Sequence, residues 1–214
     1  STTVTNMMKK LDGVNVVQIS FFNESECKEI IKYADKKEEY FINTNNTAQS
    51  SDIYNKNQVT TANFASYSFF KDNPKYIDRL LVCLKKTLPW LTYPIALQSW
   101  VNIYKTGEGI GWHNHSGLDE HSYTANIFLG GITTPGVFYT APGETSFSIK
   151  NKIGEMLLSD CSMWHMVTPN ESNISRYSVG ITIHDYEAIT LKMLSDACFN
   201  SSFKGVILLN QIGE

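Results

Sequence analysis

The sequence predicts an α+β fold that is mainly β. Two helical patterns come early in the chain, a block of short strand patterns begins at residue 95, and a last helical pattern returns at about 187–199. Helices kept apart from a run of strands are typical of α+β domains, and seven or more short strands suit a sandwich, a jelly roll or a barrel. We expect one domain over 1–214, in which 1–94 form an N-terminal support, 95–186 the β core and 187–214 a C-terminal helical extension.

The N-terminal support begins with one strand and one helix. Residues 14–22 (VNVVQISFF) have the pattern of a strand, Asn23 then has the position of a helix N-cap, and Glu26 has the capping-box position. Apolar residues at helical spacing continue this helix to about residue 37. These residues are Cys27, Ile30, Ile31 and Ala34.

A second helix begins at Asn73-Pro74 and is ended by Pro89. Its apolar face consists of Ile77, Leu80, Leu81, Leu84 and Leu88. Between the two helices, residues 43–63 are rich in Asn, Thr, Ser and Gln, which predicts a long exposed loop. A loop of that length inside a domain often has a function, such as that of a lid.

The β core contains strand patterns with glycine or proline between them, at 95–104, 122–129, 136–140, 145–149, 153–158, 164–168 and 175–184. In the first of them, alternation places Gln98, Trp100, Asn102 and Tyr104 on one face. Such a face either lines a polar pocket or is the solvent side of an antiparallel sheet. Two large aromatic residues at successive positions of this face favour the pocket.

Composition argues against several classes of partner. Eighteen basic and 21 acidic residues give a net charge of −3 and a pI of ≈ 6.0. We therefore do not expect a nucleic-acid partner, since proteins that coat DNA or RNA are usually basic. No apolar run approaches the roughly 18 residues of a membrane span, so we expect no membrane partner. The four widely spaced cysteines indicate reduced thiols, and we expect a cytoplasmic protein.

The chain has only two arginines, Arg79 and Arg176, so a site that needs a planar guanidinium has two candidates. Arg79 lies on the second helix and is expected at the surface. Arg176 shares one face of the last strand with Ser178, and the opposite face is apolar. An arginine in that position needs a carboxylate or phosphate partner. The alternative is a structural ion pair with Asp160 or Glu155.

Three of the five histidines have the spacing of metal ligands. His113 and His115 lie in GWHNHSG, and a spacing of two puts both imidazoles on one face if the segment is extended. His165, in CSMWHMVTPN, would complete a facial three-ligand set with open positions for water or substrate. The alternative is a surface pair at 113 and 115 and a core histidine at 165.

Taken together, these segments resemble the Fe(II)/2-oxoglutarate-dependent oxygenase superfamily. The ordered set is Asn102-x-Tyr104, a glycine turn, His113-x-His115, Phe128-Leu129-Gly130-Gly131, His165 and Arg176-x-Ser178. The chain is similar to the prolyl-hydroxylase-like branch, whose opening strand and helix FFNESECKEII resembles, and to small oxygenases of phages and bacteria. The resemblance covers most of the chain and is strongest from about 97 to 184.

The resemblance implies a double-stranded β-helix (jelly-roll) core over 95–186. It also implies an iron-dependent dioxygenase that uses 2-oxoglutarate and O2 to hydroxylate a further substrate, with a peptide or protein residue such as proline as the favoured class. His113 would be the first iron ligand and His165 the distal one. Arg176 and Ser178 would bind the distal carboxylate of 2-oxoglutarate. The positions that match other co-substrate residues are Asn102, Tyr104 and Thr124.

One departure from the family pattern concerns His115. The superfamily usually has Asp or Glu at this position, and three neutral ligands would leave an Fe(II) site with a charge of +2 rather than +1. Such a change should alter oxygen activation and metal preference. Asp119 or Glu120 could supply a carboxylate instead, but only His115 has the strand spacing.

Two other functions remain open. Three histidines can also hold a zinc ion that activates water, although that function leaves Arg176 and Ser178 without a task. A non-catalytic jelly-roll module that binds sugar or protein would contain no metal.

Overall fold

The computed structural model describes residues 7–11, 14–44, 67–115, 122–140, 145–185 and 206–211. The expected C-terminal helix at 187–199 lies outside these residues, as does the expected loop at 43–63 apart from its first two residues, which end a helix. Asp119 and Glu120 also lie outside them. None of the helices in these ranges combines the length and the apolar character that a membrane span requires.

Helical segments lie between the strands Val14–Ser20 and Ile95–Tyr104, as predicted. They are α1 (Glu24–Thr44), α2 (Phe69–Asp72), a 3₁₀ turn (Pro74–Tyr76) and α3 (Ile77–Thr87). The expectation that α1 ends near residue 37 is wrong. The helix continues because Phe41 is buried and packs against Tyr67, with their ring centroids 4.8 Å apart.

The predicted capping box at the start of α1 is confirmed. The Asn23 side-chain oxygen accepts from the Glu26 N–H at 2.8 Å, and the Glu26 carboxylate accepts from the Asn23 N–H at 2.9 Å. Arg79 is exposed, as expected, and donates two hydrogen bonds to the same carboxylate at 2.7 and 2.8 Å. Arg79 therefore joins α3 to the first turn of α1.

The described residues form strands that all pair antiparallel, and every predicted strand is present. They are β1 (Met7–Leu11), β2 (Val14–Ser20), β3 (Ile95–Tyr104), β4 (Ile110–His113), β5 (Tyr123–Gly130), β6 (Val137–Thr140), β7 (Phe147–Ile149), β8 (Glu155–Asp160), β9 (Trp164–Val167), β10 (Arg176–Asp185) and β11 (Ile207–Leu209). The chain is thus mostly antiparallel β with few helices.

The strands form two sheets. A seven-stranded sheet has the order β1-β2-β8-β5-β10-β3-β11, and a four-stranded sheet has the order β4-β9-β6-β7. From β3 to β10 the chain passes repeatedly between them, because β3, β5, β8 and β10 belong to the large sheet and β4, β6, β7 and β9 to the small one. Side chains from both sheets line a shared cavity.

The outer face of the large sheet carries the main apolar core. Val179, Ile181 and Ile183 of β10 are buried there in one cluster with Leu80 and Leu84 of α3. The apolar face predicted for β10 is therefore confirmed, and the polar residues of β10 lie on the opposite face, toward the small sheet.

Candidate metal centre and adjoining polar pocket

The inner face of the large sheet is polar and buried. Gln98, Trp100, Asn102 and Tyr104 of β3 are each no more than 5% exposed, so their face is not the solvent side of the sheet. On the neighbouring strand β10, Arg176 pairs with Tyr104 and Ser178 pairs with Asn102. These pairs place the polar faces predicted for the two strands side by side.

Between the two sheets lies a cavity that opens to solvent. The large sheet contributes Trp100, Asn102, Tyr104 and Thr124 to its walls, and the small sheet contributes the histidines and Tyr139. No aspartate or glutamate is among its described lining residues. The cavity is therefore lined by uncharged polar, aromatic and aliphatic groups.

The three predicted histidines converge on this cavity. His113 at the end of β4 is paired directly with His165 on β9, and His115 follows two residues later. One ring nitrogen from each histidine lies within 4.8 Å of the other two, so the three residues could hold a metal ion. Their ring centroids are 4.2 to 5.2 Å apart. Among the described residues, no carboxylate or thiol joins this cluster.

The histidines have the protonation state of metal ligands. Burial lowers the pKa of His113, lowers that of His115 well below its usual range, and lowers that of His165 to about 3. Each imidazole is therefore neutral near pH 7. The Nδ1 of His113 lies 2.7 Å from the Gly111 carbonyl, which can only accept, so Nδ1–H donates and Nε2 keeps its lone pair. The same geometry, at 3.4 Å, relates His165 to the Met163 carbonyl.

His184 is buried but stands apart from this cluster. Its two ring nitrogens lie 3.0 Å from the Ser122 hydroxyl and 3.0 Å from the Gln98 side-chain oxygen. Both nitrogens are thus hydrogen-bonded to other side chains. Sequence position alone does not distinguish this histidine from a ligand.

Arg176 lies behind Tyr104, at one end of the polar face, and is 4% exposed. Its guanidinium carbon is 5.9 Å from the centre of the Tyr104 ring, and one N–H donates to the Thr168 carbonyl at 3.1 Å. Burial lowers the pKa of this arginine from its ordinary value. The side chain nevertheless stays charged, since an arginine is not deprotonated in a folded protein.

No carboxylate of the described residues neutralises Arg176. Neither Asp160 nor Glu155 forms an ion pair with it, so the alternative of a structural pair with either acid is wrong. Its Nε–H has no hydrogen-bond partner among the described residues. A buried guanidinium with a free donor fits a carboxylate ligand, because an unpaired buried charge is costly.

Ser178 connects Arg176 to the cavity wall. Its hydroxyl oxygen accepts from the side-chain amides of Asn102 at 3.1 Å and Asn126 at 3.2 Å. Thr124 also lines the cavity, and its hydroxyl donates to the Ile181 carbonyl at 3.1 Å. The structure therefore brings every site residue expected from the sequence into one region, with Arg176 and Ser178 just behind the cavity wall.

Sequence reasoning missed two residues of the site. Asn126 lines the cavity two positions after Thr124, so the alternation of β5 was the signal that could have identified it. Tyr139 of β6 lines the cavity with its ring centroid 6.0 Å from that of His165, and burial raises its pKa. Its position directly opposite His165 in the β6–β9 pair has no signal in the sequence.

No protein-family model matches the chain, and no curated protein matches it in sequence. Solved structures do match. A prolyl-4-hydroxylase from Pseudomonas putida has a TM-score of 0.53 and 12% identity, over 79% of this chain and 91% of that one. A prolyl hydroxylase from Trichoplax adhaerens, in complex with a hypoxia inducible factor peptide fragment, has a TM-score of 0.55 and 14% identity, over 82% and 86%.

HygX from Streptomyces hygroscopicus, with nickel and 2-oxoglutarate bound, has a TM-score of 0.55 and 13% identity, over 82% of this chain and 84% of that one. Identities this low establish similarity of fold. The resemblance seen in the sequence is thereby confirmed in three dimensions: this chain has the fold of the Fe(II)/2-oxoglutarate-dependent oxygenases.

Proposed function

We propose that this chain is an Fe(II)- and 2-oxoglutarate-dependent dioxygenase that hydroxylates its substrate. The observation that carries the proposal is the convergence of His113, His115 and His165 on one cavity, with their ligand atoms within 4.8 Å. The Nε–H of Arg176, which has no partner among the residues that the structure describes, lies beyond one wall of that cavity and supports a dicarboxylate co-substrate. We also propose that the two sheets form a double-stranded β-helix over 95–186, within one domain over 1–214.

The metal would be held by the three neutral imidazoles. Together with 2-oxoglutarate and O2, a bound iron would supply the oxidation of a C–H bond to an alcohol. The chain's own residues would hold the ligands in place, since hydrogen bonds to the Gly111 and Met163 carbonyls orient His113 and His165. Burial between two sheets would limit the access of water.

The co-substrate would lie between the histidines and Arg176. Arg176 and Ser178 would bind its distal carboxylate, and Asn102, Tyr104 and Thr124 would line its path. This orientation of the co-substrate is inferred from the pairing of β3 with β10. Trp100 lies near the histidines, with its ring centroid 5.9 Å from that of His115. Four residues further along β3, Tyr104 is paired with Arg176.

A peptidyl residue such as proline is the leading substrate class. Two of the structures similar in fold are prolyl hydroxylases, and one of them was solved with a peptide fragment. Another is an α-ketoglutarate-dependent epimerase from nogalamycin biosynthesis, so the same fold also accepts small molecules. The substrate panel must therefore contain both peptides and metabolites.

The test is succinate release from 2-oxoglutarate by the full chain loaded with Fe(II). We expect slow release without substrate and faster release with the correct peptide or metabolite. His113→Ala should abolish both. Absence of iron binding together with absence of succinate from the wild-type chain would refute the proposal.

A zinc enzyme that activates water is the second candidate, because three neutral nitrogen ligands also suit zinc. It predicts metal-dependent hydrolysis that is the same with and without 2-oxoglutarate.

Elemental analysis of the purified chain distinguishes both enzymes from a non-catalytic binding module, since such a module would contain no stoichiometric metal.

A further inference from the structure

Asn126 is a cavity residue that has no role in the function proposed above. It lies on β5, lines the cavity and is partly buried. One of its amide N–H groups donates to the Ser178 hydroxyl oxygen at 3.2 Å. A side-chain amide carries two N–H donors, so one further N–H remains after this bond.

Asn126 lies beside a glycine of the neighbouring strand. It is paired with Gly180 of β10, and its side-chain amide bonds Ser178, two residues along that strand. A Cβ on residue 180 would come within 2.2 Å of the Trp100 indole, so Gly180 makes room for the indole in this wall of the cavity. The amide nitrogen of Asn126 is therefore directed along β10 from Gly180 to Ser178, that is, toward Arg176.

Several groups around that end present hydrogen-bond donors. They include the Nε–H of Arg176, which lacks a partner among the described residues, and the amide groups of Asn102 and Asn126, both turned with nitrogen toward Ser178. Ser178 accepts both amides, which uses both lone pairs of its oxygen and leaves its O–H to donate. A group surrounded by donors should be an acceptor with a negative charge, and a carboxylate has that chemistry.

We propose that Asn126 binds the distal carboxylate of 2-oxoglutarate, with its amide oriented by Ser178. The inference rests on the proposed function, because it assumes 2-oxoglutarate as the co-substrate. It adds to that function a residue of β5 that binds the end of the co-substrate farthest from the metal.

The experiment compares two ligands that differ only at that end. 2-Oxopentanoate has the same chain length and the same 2-oxo acid group as 2-oxoglutarate, but no distal carboxylate. Binding of each to the Fe(II)-loaded chain is measured by calorimetry under nitrogen, so that no turnover occurs. The variants are Asn126→Ala, Asn126→Asp, Ser178→Ala and the double variant Asn126→Ala/Ser178→Ala.

We expect Asn126→Ala to weaken 2-oxoglutarate about tenfold, as loss of a hydrogen bond to a charged group does, and to leave 2-oxopentanoate unchanged. Asn126→Asp keeps the size of the side chain and should weaken 2-oxoglutarate further, because two carboxylates repel each other. Losses from Asn126→Ala and Ser178→Ala should be less than additive. Thermal melting of each variant checks that it is folded.

Three outcomes would overturn the inference. Equal weakening of both ligands would place Asn126 at the metal end or give it a structural role. Unchanged 2-oxoglutarate binding would remove it from the site, and strictly additive losses would show that Ser178 does not orient it. A wild-type chain that binds both ligands equally would instead refute 2-oxoglutarate as co-substrate, so failure of the proposed function is distinguishable.

Discussion

Single side chains set the charge of this site. The described lining of the cavity has no acid, the three imidazoles are neutral, and Arg176 carries its charge behind the wall. A divalent metal would add two positive charges to these surroundings. Two or more negative charges must therefore come from a ligand, and the two carboxylates of 2-oxoglutarate would supply them.

The role of Arg176 is tested by Arg176→Lys, which keeps the charge but loses the planar fork. We expect 2-oxoglutarate affinity to fall roughly 10- to 100-fold, the effect of about 1.5–3 kcal/mol for hydrogen bonds to a charged group. Calorimetry of the metal-loaded chain measures this change. The matched control is Arg79→Lys, which alters the other arginine and should leave the affinity unchanged. An affinity equal to that of the wild type in Arg176→Lys would show that the arginine has another role.

The ligand role of His115 is tested by metal content. We expect His115→Ala to lose stoichiometric metal after dialysis, because one of three nitrogen ligands is gone. His184→Ala is the control, since His184 is a buried histidine that bonds Gln98 and Ser122 instead. That control should keep its metal but unfold more easily, by about 1–3 kcal/mol for the polar groups left unpaired. Full metal retention in His115→Ala would show that a residue outside the cluster supplies the third ligand.

Helices and strands can be predicted from the local sequence where it shows apolar periodicity or a capping motif. The alternation in β3 and β10 identified the two faces, and Asn23 with Glu26 identified the start of α1. The end of α1 could not be found in the same way, because it depends on Phe41 meeting Tyr67 from a distant segment. Likewise, Tyr139 can be assigned to the site only from the pairing of β6 with β9, which places it opposite His165.

The capping box makes part of the stability depend on pH. The hydrogen bonds from Arg79 hold the pKa of Glu26 below its usual value of 4.5. A lowered folded-state pKa stabilises the fold above the unfolded value, and this contribution is lost as the pH falls through the lowered one. We expect Glu26→Gln to cost on the order of 1 kcal/mol at pH 7, with the difference from wild type shrinking below about pH 4.5.

Urea unfolding at several pH values measures that difference. Glu24→Gln is the matched control, since the pKa of Glu24 is also lowered, by its hydrogen bond to Lys28, but both side chains are fully solvated. We expect no measurable change from this control. A Glu26→Gln difference that stays constant down to pH 3 would contradict the ion pair with Arg79.

The Trp100 indole of β3 occupies the space beside position 180 of β10, where glycine has no side chain. Gly180→Ala would bring a Cβ to 2.2–2.5 Å from the Trp100 indole, which cannot move far inside a buried face. We expect a loss of about 1–3 kcal/mol in the free energy of unfolding. Gly130→Ala is the control, because its Cβ would meet only the flexible end of Ile31, at 2.9 Å. Equal losses in both variants would contradict a specific role for Gly180.

At the scale of the whole molecule, the site belongs to neither sheet alone. His113 and His165 come from the small sheet and His115 lies two residues beyond the end of β4, whereas Arg176, Ser178 and Asn126 come from the large sheet. A ligand that contacts both sets should hold the two sheets together. Sequence patterns predicted strands and faces, but the order of strands in each sheet depends on long-range pairing that no local pattern encodes.

Binding of metal and 2-oxoglutarate together should therefore stabilise the whole fold. At a ligand concentration 100 times the Kd, linkage predicts about 2.7 kcal/mol and a higher Tm. Differential scanning fluorimetry of the chain with metal alone and with metal plus 2-oxoglutarate measures this shift. His113→Ala should show neither shift. A Tm that rises equally in His113→Ala would indicate binding elsewhere on the chain.

The passage of the chain back and forth between the sheets also bears on how the protein folds. β4 and β9, which carry His113 and His165, are separated in the chain by strands of both sheets, so their pairing must await the closure of long loops. Before β4 and β9 pair, the chain itself holds only His113 and His115 close together. The three-histidine cluster therefore exists only after β4 and β9 have paired, so a metal ion that needs all three nitrogens would bind only a chain in which that long loop has closed.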